Sequence, residues 1–108
     1  MSNMKLWVDD IRKMPKHYHY HAKTSKEAIV ILQKMRISEI SLDHDLGEEE
    51  NGTGYDVAKW IEKAAYHKAI QPIIMHIHTA NPVGYKNIEV ALKNACRFWG
   101  ANPYYYLI

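Results

Sequence analysis

Ser41–Gly47 reads SLDHDLG, and the apolar run Ile37–Leu42 leads straight into Asp43, His44 and Asp45. An apolar run that ends abruptly in carboxylates is how a buried strand delivers charged groups to one edge of a parallel sheet. The remainder of the chain has to supply the other strands and whatever meets those carboxylates.

Upstream, Lys5–Val8 (KLWV) is a second short apolar run, closed by Asp9 and Asp10. Pro15 and the polar residues around it make Ile11–Lys16 a loop rather than a helix. Tyr18–Ala22 alternates at period two, as a strand does. Thr24 and Glu27 have the spacing of a capping box, and Ala28, Ile31, Leu32 and Met35 follow at helical spacing, which predicts a helix over about Ser25–Met35.

Downstream of SLDHDLG, Glu48–Gly54 is an acidic loop whose Asn51-Gly52 and Gly54 call for permissive backbone angles. Thr53 and Asp56 open a second helix with Val57, Trp60, Ile61 and Ala64 as its buried stripe. Ile73–Ile77 is the next strand, entered through Pro72. Thr79–Gly84 is a loop or helix entry, and Ile88, Ala91, Leu92, Ala95 and Phe98 or Trp99 line a third helix ended by Gly100. Tyr104–Ile108 is a last short strand or a packing tail. Strands alternating with helices of a dozen residues define an α/β fold with a mainly parallel sheet of four or five strands, in one domain over residues 1–108. The link between the first two strands is too short for the usual crossover helix.

Composition agrees with this class. A hydrophobic fraction of 47% with 24% charged residues is ordinary for a globular domain, and a net charge of +2 is too small to argue for nucleic acid by itself. No apolar run nears the roughly 18 residues of a membrane span. The N-terminal stretch MSNMKLWVDD has no signal-peptide pattern, and Cys96 is the only cysteine. The expectation is a reducing, cytoplasmic setting, with no membrane partner.

Three predicted strands end in residues that bind metal or phosphate. The first gives Asp9 and Asp10, followed by Arg12. The central one gives Asp43, His44 and Asp45. The last gives His76 and His78, which share one side of the pleat, then Thr79 and Asn81. Carboxylates converging at the carboxyl ends of parallel strands repel one another, and a cation resolves that repulsion. Oxygen ligation suits Mg²⁺ or Mn²⁺, whereas imidazole tilts a site toward Mn²⁺, Zn²⁺ or Fe. Arg12 would clamp phosphate oxygens, and His78 or His44 would move a proton. His17, His19 and His21 read as the exposed face of a strand. Trp7, Trp60, Phe98, Trp99 and Cys96 read as core, and Tyr104–Tyr106 read as packing rather than as a base-stacking platform.

Taken in order, LWVDDIR, KTSKEAI, EISLDHDLGEEENGTGYDVAKWIE and IHTANPVG resemble the cyclic-phosphate processing receiver domain, an offshoot of the response-regulator receiver superfamily. The resemblance implies a receiver-like (flavodoxin-like) three-layer domain lacking the usual first helix. It implies that Asp9 and Asp10 are the metal-binding acidic pair, that Asp43 or Asp45 is the phosphoacceptor-like aspartate, and that Thr79 is the switch-like hydroxyl. His78 and Asn81 match the offshoot's own motif. A receiver's lysine before a proline near the C-terminus is replaced here by Asn102-Pro103. The expected function is therefore a divalent-metal phosphoesterase acting on cyclic or terminal phosphates of nucleotides or RNA ends. The metal would be held by Asp9, Asp10, Asp43 and Asp45, with His44 and His76, while Asp43, His78, Arg12 and Asn81 serve the chemistry. A non-enzymatic receiver-like module that takes up a phosphoryl group or phosphate ligand is the alternative.

Overall fold

The computed structural model describes residues 3–108; Met1 and Ser2, part of the N-terminal stretch read above, lie outside the described residues. Four parallel strands, β1 (Met4–Val8), β2 (Tyr20–Ala22), β3 (Ile37–Leu42) and β4 (Ile74–Ile77), stand in the order β2-β1-β3-β4. Helices α1 (Ser25–Lys34), α2 (Gly54–Tyr66) and α3 (Pro82–Trp99) follow β2, β3 and β4, and a short α4 (Pro103–Tyr106) comes last.

Each helix starts where a side chain satisfies its first N–H groups. Thr24 accepts from the Glu27 N–H, Thr53 and Asp56 form a reciprocal capping box, and Asn81 accepts from the Gly84 N–H, with Pro82 in the first turn. One face of the sheet, carrying Leu6, Val8, Ile40, Leu42 and Met75, packs against Ala28 and Leu32 of α1, Val57 and Ile61 of α2, and Ile88 and Leu92 of α3. Cys96 is fully buried in that core.

The opposite face explains the short link between β1 and β2. The connections through α1 and α2 step across the sheet in one direction, so right-handed crossovers place both helices on one face, and α3 packs along α2. The β1-to-β2 step runs the other way, so the same handedness sends residues 9–19 over the second face. Trp7 projects from that face and meets Tyr18 of the link edge-on, ring centroids 5.2 Å apart. The third layer is thus present but thin: a loop stands where a helix would. The rest of this face is polar and pairs in plane, with Lys5 Nζ 3.5 Å from Glu39 and Glu39 2.7 Å from His76 Nε2.

Three expectations are corrected. β2 begins at Tyr20 rather than Tyr18, because the Tyr18 N–H closes a turn onto the Pro15 carbonyl. Gly54 has no left-handed backbone; it is needed for space, since a Cβ there would stand 1.8 Å from the Asp43 carbonyl oxygen. Tyr104–Tyr106 is helical, because Asn102 caps the turn that Pro103 opens. Beyond it, Leu107 bridges in parallel to Met75, and the Ile108 N–H donates to the Met75 carbonyl at 3.0 Å, a rudiment of a fifth strand.

Candidate metal centre

β1 and β3 lie side by side, with Val8 opposite Leu42, so their next residues emerge together at the carboxyl edge of the sheet. Asp9, Asp10 and Asp43 each place a carboxylate oxygen there, all within 4.8 Å of one another. Asp9 and Asp43 are buried, at 0% and 7% relative exposure. Buried carboxylates at this spacing demand positive charge or donors.

Asp9 receives them in full. Its Oδ1 accepts from the Ile11 and Arg12 backbone N–H groups at 2.8 and 2.9 Å; its Oδ2 takes His78 Nε2 at 2.9 Å and Arg12 Nη1 at 3.2 Å. Burial pushes the Asp9 carboxyl up, but the two backbone donors, His78 and Arg12 together hold it below its usual value. Arg12 Nη1 also donates to Asp43 Oδ2 at 3.2 Å, and Asp43 Oδ1 accepts from the His44 N–H at 2.8 Å. Asp10 differs: its Oδ1 is buried with no hydrogen-bond partner. Gly47 closes over its other oxygen, in a left-handed conformation (φ 91°) in which a Cβ would stand 3.1 Å from Asp10 Oδ2.

The residues fit a hard divalent cation. The orphaned Asp10 oxygen lacks a partner that an ion would supply, and an all-carboxylate donor set suits Mg²⁺ or Mn²⁺.

Behind the carboxylates sits His78. Its Nδ1 lies 2.6 Å from Ser41 Oγ, and its ring stacks on Trp7 at 3.9 Å with planes 4° apart. Burial lowers its proton affinity against the opposing pull of Asp9. On the same face burial, and then the Glu39 charge, hold the Tyr18 hydroxyl protonated to higher pH than usual, against an opposing pull from Ser41.

Other expected residues lie apart from the cluster. His44 Nδ1 pairs with Asp45 at 2.9 Å, and its ring fills the space above Gly84, where a Cβ would come within 2.3 Å of it. Asp45 is exposed because the chain already turns back there, bridging to Thr53. Between Asp43 and Asp45, it is Asp43 whose carboxylate joins those of Asp9 and Asp10. His76 shares the polar face with His78 but sits one pleat lower, against Glu39. Thr79 Oγ1 accepts from the Asn81 N–H at 3.2 Å, and the Asn81 side chain caps α3; neither bonds to the carboxylates. His19 Nδ1 accepts from the Lys5 N–H and His21 Nε2 donates to the Asp9 carbonyl, so both brace the backbone. Sequence reading passed over Ser41, Tyr18, Trp7 and Gly47. For Ser41 and Trp7 a signal existed: each stands two residues before a site aspartate, hence on its side of the pleat.

A parallel sheet with an acidic pair after β1 and an aspartate after β3 is a receiver-like α/β arrangement. The sequence model of the cyclic-phosphate processing receiver domain matches residues 4–94, and the chain belongs to that family. No curated protein matches. Among solved structures, the Salmonella typhimurium RcsB response regulator, described for its conformational dynamism in DNA interaction, is similar at 18% identity with a TM-score of 0.47. The match covers 88% of this chain and 50% of that one, so the chain spans half its length. Among the described residues no helix is long and apolar enough to cross a membrane.

Proposed function

We propose that the protein is a divalent-metal-dependent phosphoesterase of the cytoplasm, acting on cyclic or terminal phosphates of nucleotides or RNA ends. The observation that carries this reading is the convergence of Asp9, Asp10 and Asp43 within 4.8 Å, with the Arg12 guanidinium 3.2 Å from two of them. The family's description supports the substrate class. The three aspartates would hold the ion, Mg²⁺ or Mn²⁺ by their donor set. When bound, such an ion polarises a phosphoryl oxygen and generates a nucleophilic water at neutral pH. Arg12, half-exposed at the rim, has the geometry to take phosphate oxygens in a bidentate grip.

The test is hydrolysis of 2′,3′-cyclic and 3′,5′-cyclic nucleotides with Mg²⁺, Mn²⁺ or Zn²⁺, wild type against Asp43→Asn. Metal-dependent turnover in the wild type alone is expected. Silence toward both classes with metal binding intact would sink the enzymatic reading.

A second reading, a binding or signalling module, draws on the position of Asp43 at the end of β3 and of Thr79 after β4. Incubation with a small phosphodonor would then add phosphate mass to Asp43, and an unmodified chain counts against it.

A further inference from the structure

We infer that His78 is a positioning residue that fixes Asp9 for the metal, and not the group that exchanges protons with substrate. The inference rests on the metal-site reading above and assigns one more side chain to it.

Both ring nitrogens are already committed. A carboxylate only accepts, so Nε2 carries the hydrogen and donates to Asp9 Oδ2 at 2.9 Å. In the neutral ring Nδ1 is then the acceptor, and the Ser41 hydroxyl donates to it at 2.6 Å. Tyr18, whose ring packs edge-on against Trp7, closes over the same face. Both donors of the chain Ser41, His78 then point toward the Asp9 carboxylate. Turning the imidazole to reach a substrate would break both hydrogen bonds and the stack on Trp7 at once. It would also leave Ser41, 3% exposed, without a partner it can replace from water.

The two side chains on Asp9 Oδ2 therefore have unequal standing. His78 is held from three sides, whereas Arg12 reaches in from a side chain that is 48% exposed. Four donors saturate the lone-pair sites of Asp9, so a metal can bond to it only after one donor leaves. Arg12 is the one free to move. His78 stays and orients the oxygen that Arg12 vacates, as histidines and carboxylates next to metal ligands do elsewhere.

Mn²⁺ affinity, measured by calorimetry on the full chain, tests this with His78→Ala, His78→Gln and Ser41→Ala. Glutamine can place an amide donor near the position of Nε2 but cannot act as an acid or base at neutral pH. Loss of the imidazole in the alanine variant should weaken Mn²⁺ binding by roughly tenfold or more. His78→Gln should recover most of that loss, and Ser41→Ala should cost a smaller factor. At saturating Mn²⁺ the glutamine variant should also retain turnover. Unchanged affinity in His78→Gln and Ser41→Ala alike, or a glutamine variant that binds Mn²⁺ normally but has lost all turnover, overturns the assignment even if the alanine variant fails to fold. A wild-type chain that takes up no Mn²⁺ overturns the metal-site reading along with it; wild-type binding with unmoved variants overturns only the role of His78.

Discussion

Arg12 Nη1 lies 3.2 Å from Asp43 Oδ2, although the two residues stand 31 apart in the chain. The same nitrogen touches Asp9 Oδ2, so one guanidinium ties the ends of β1 and β3 together and is shared by two of the three carboxylates at the sheet edge. In the metal-free protein Arg12 thus stands in for the cation. Replacing Arg12 with glutamine should lower the urea midpoint without metal, because two buried carboxylates lose their shared counter-charge. It should also tighten Mg²⁺ or Mn²⁺ binding several-fold, since the ion no longer competes with an internal cation. Calorimetry and unfolding on the same samples check both signs; a weaker metal affinity would show that Arg12 assists rather than opposes loading.

Asp10 gives the converse prediction. Its buried Oδ1 has no partner, and its charge adds to the repulsion of Asp9 and Asp43. Asp10→Asn should raise metal-free stability by on the order of 1 kcal/mol, the usual return for relieving a strained functional group. The same variant should lose most of the thermal stabilisation that wild type gains from Mn²⁺. Melting curves with and without the ion read both effects.

Gly47 is where the backbone meets the site. Alanine there must adopt φ near 91° and press its Cβ on the Asp10 carboxylate. The expected cost is about 1–3 kcal/mol of stability. Displacement of Asp10 should add a loss of metal affinity. Gly54→Ala should be worse, because its Cβ would collide with a backbone oxygen that has no room to yield. Chemical unfolding of the two variants should rank them in that order.

Low pH should act through Glu39 on the polar face. Burial raises its carboxyl pKa, but the hydrogen bond from His76 and the charge of Lys5 outweigh it and hold the pKa below the ordinary glutamate value. A depressed folded pKa contributes stability that is full above the unfolded value, about 4.3, and is lost as pH falls through the folded value. Glu39→Gln should therefore lose no more than about 1 kcal/mol at pH 7, as pairs near the surface do, and the gap should close toward pH 3. Urea midpoints at the two pH values measure it.

Periodicity makes much of this architecture legible in the sequence. Short apolar runs place β1, β3 and β4, alternation places β2 to within two residues, capping residues place α1 and α2, and the carboxylates after Val8 and Leu42 announce the site. Legibility stopped where pleat geometry stops. Past Asp43, whose N–H still donates to the Val8 carbonyl, the chain leaves the ladder, so spacing no longer says where His44 and Asp45 point; the turn at Asp45 and the ring of His44 over Gly84 decide it. His76 and His78 were correctly put on one side of the pleat, but their depth, and hence their partners Glu39 and Asp9, depends on register with β3. The β1-to-β2 link became explicable only with the strand order, because handedness assigns it to a face. At the C-terminus, aromatic β-propensity in Tyr104–Tyr106 lost to the local cap and proline of Asn102-Pro103.

An open parallel sheet offers two rows of unpaired peptide groups, each a template on which another chain can add. Here the β4 row is partly taken by the return of Leu107 and Ile108 onto Met75, and the β2 row is only three residues long. Leu107 and Ile108 therefore shorten the edge that β4 leaves bare, and with it the template open to edge-to-edge pairing.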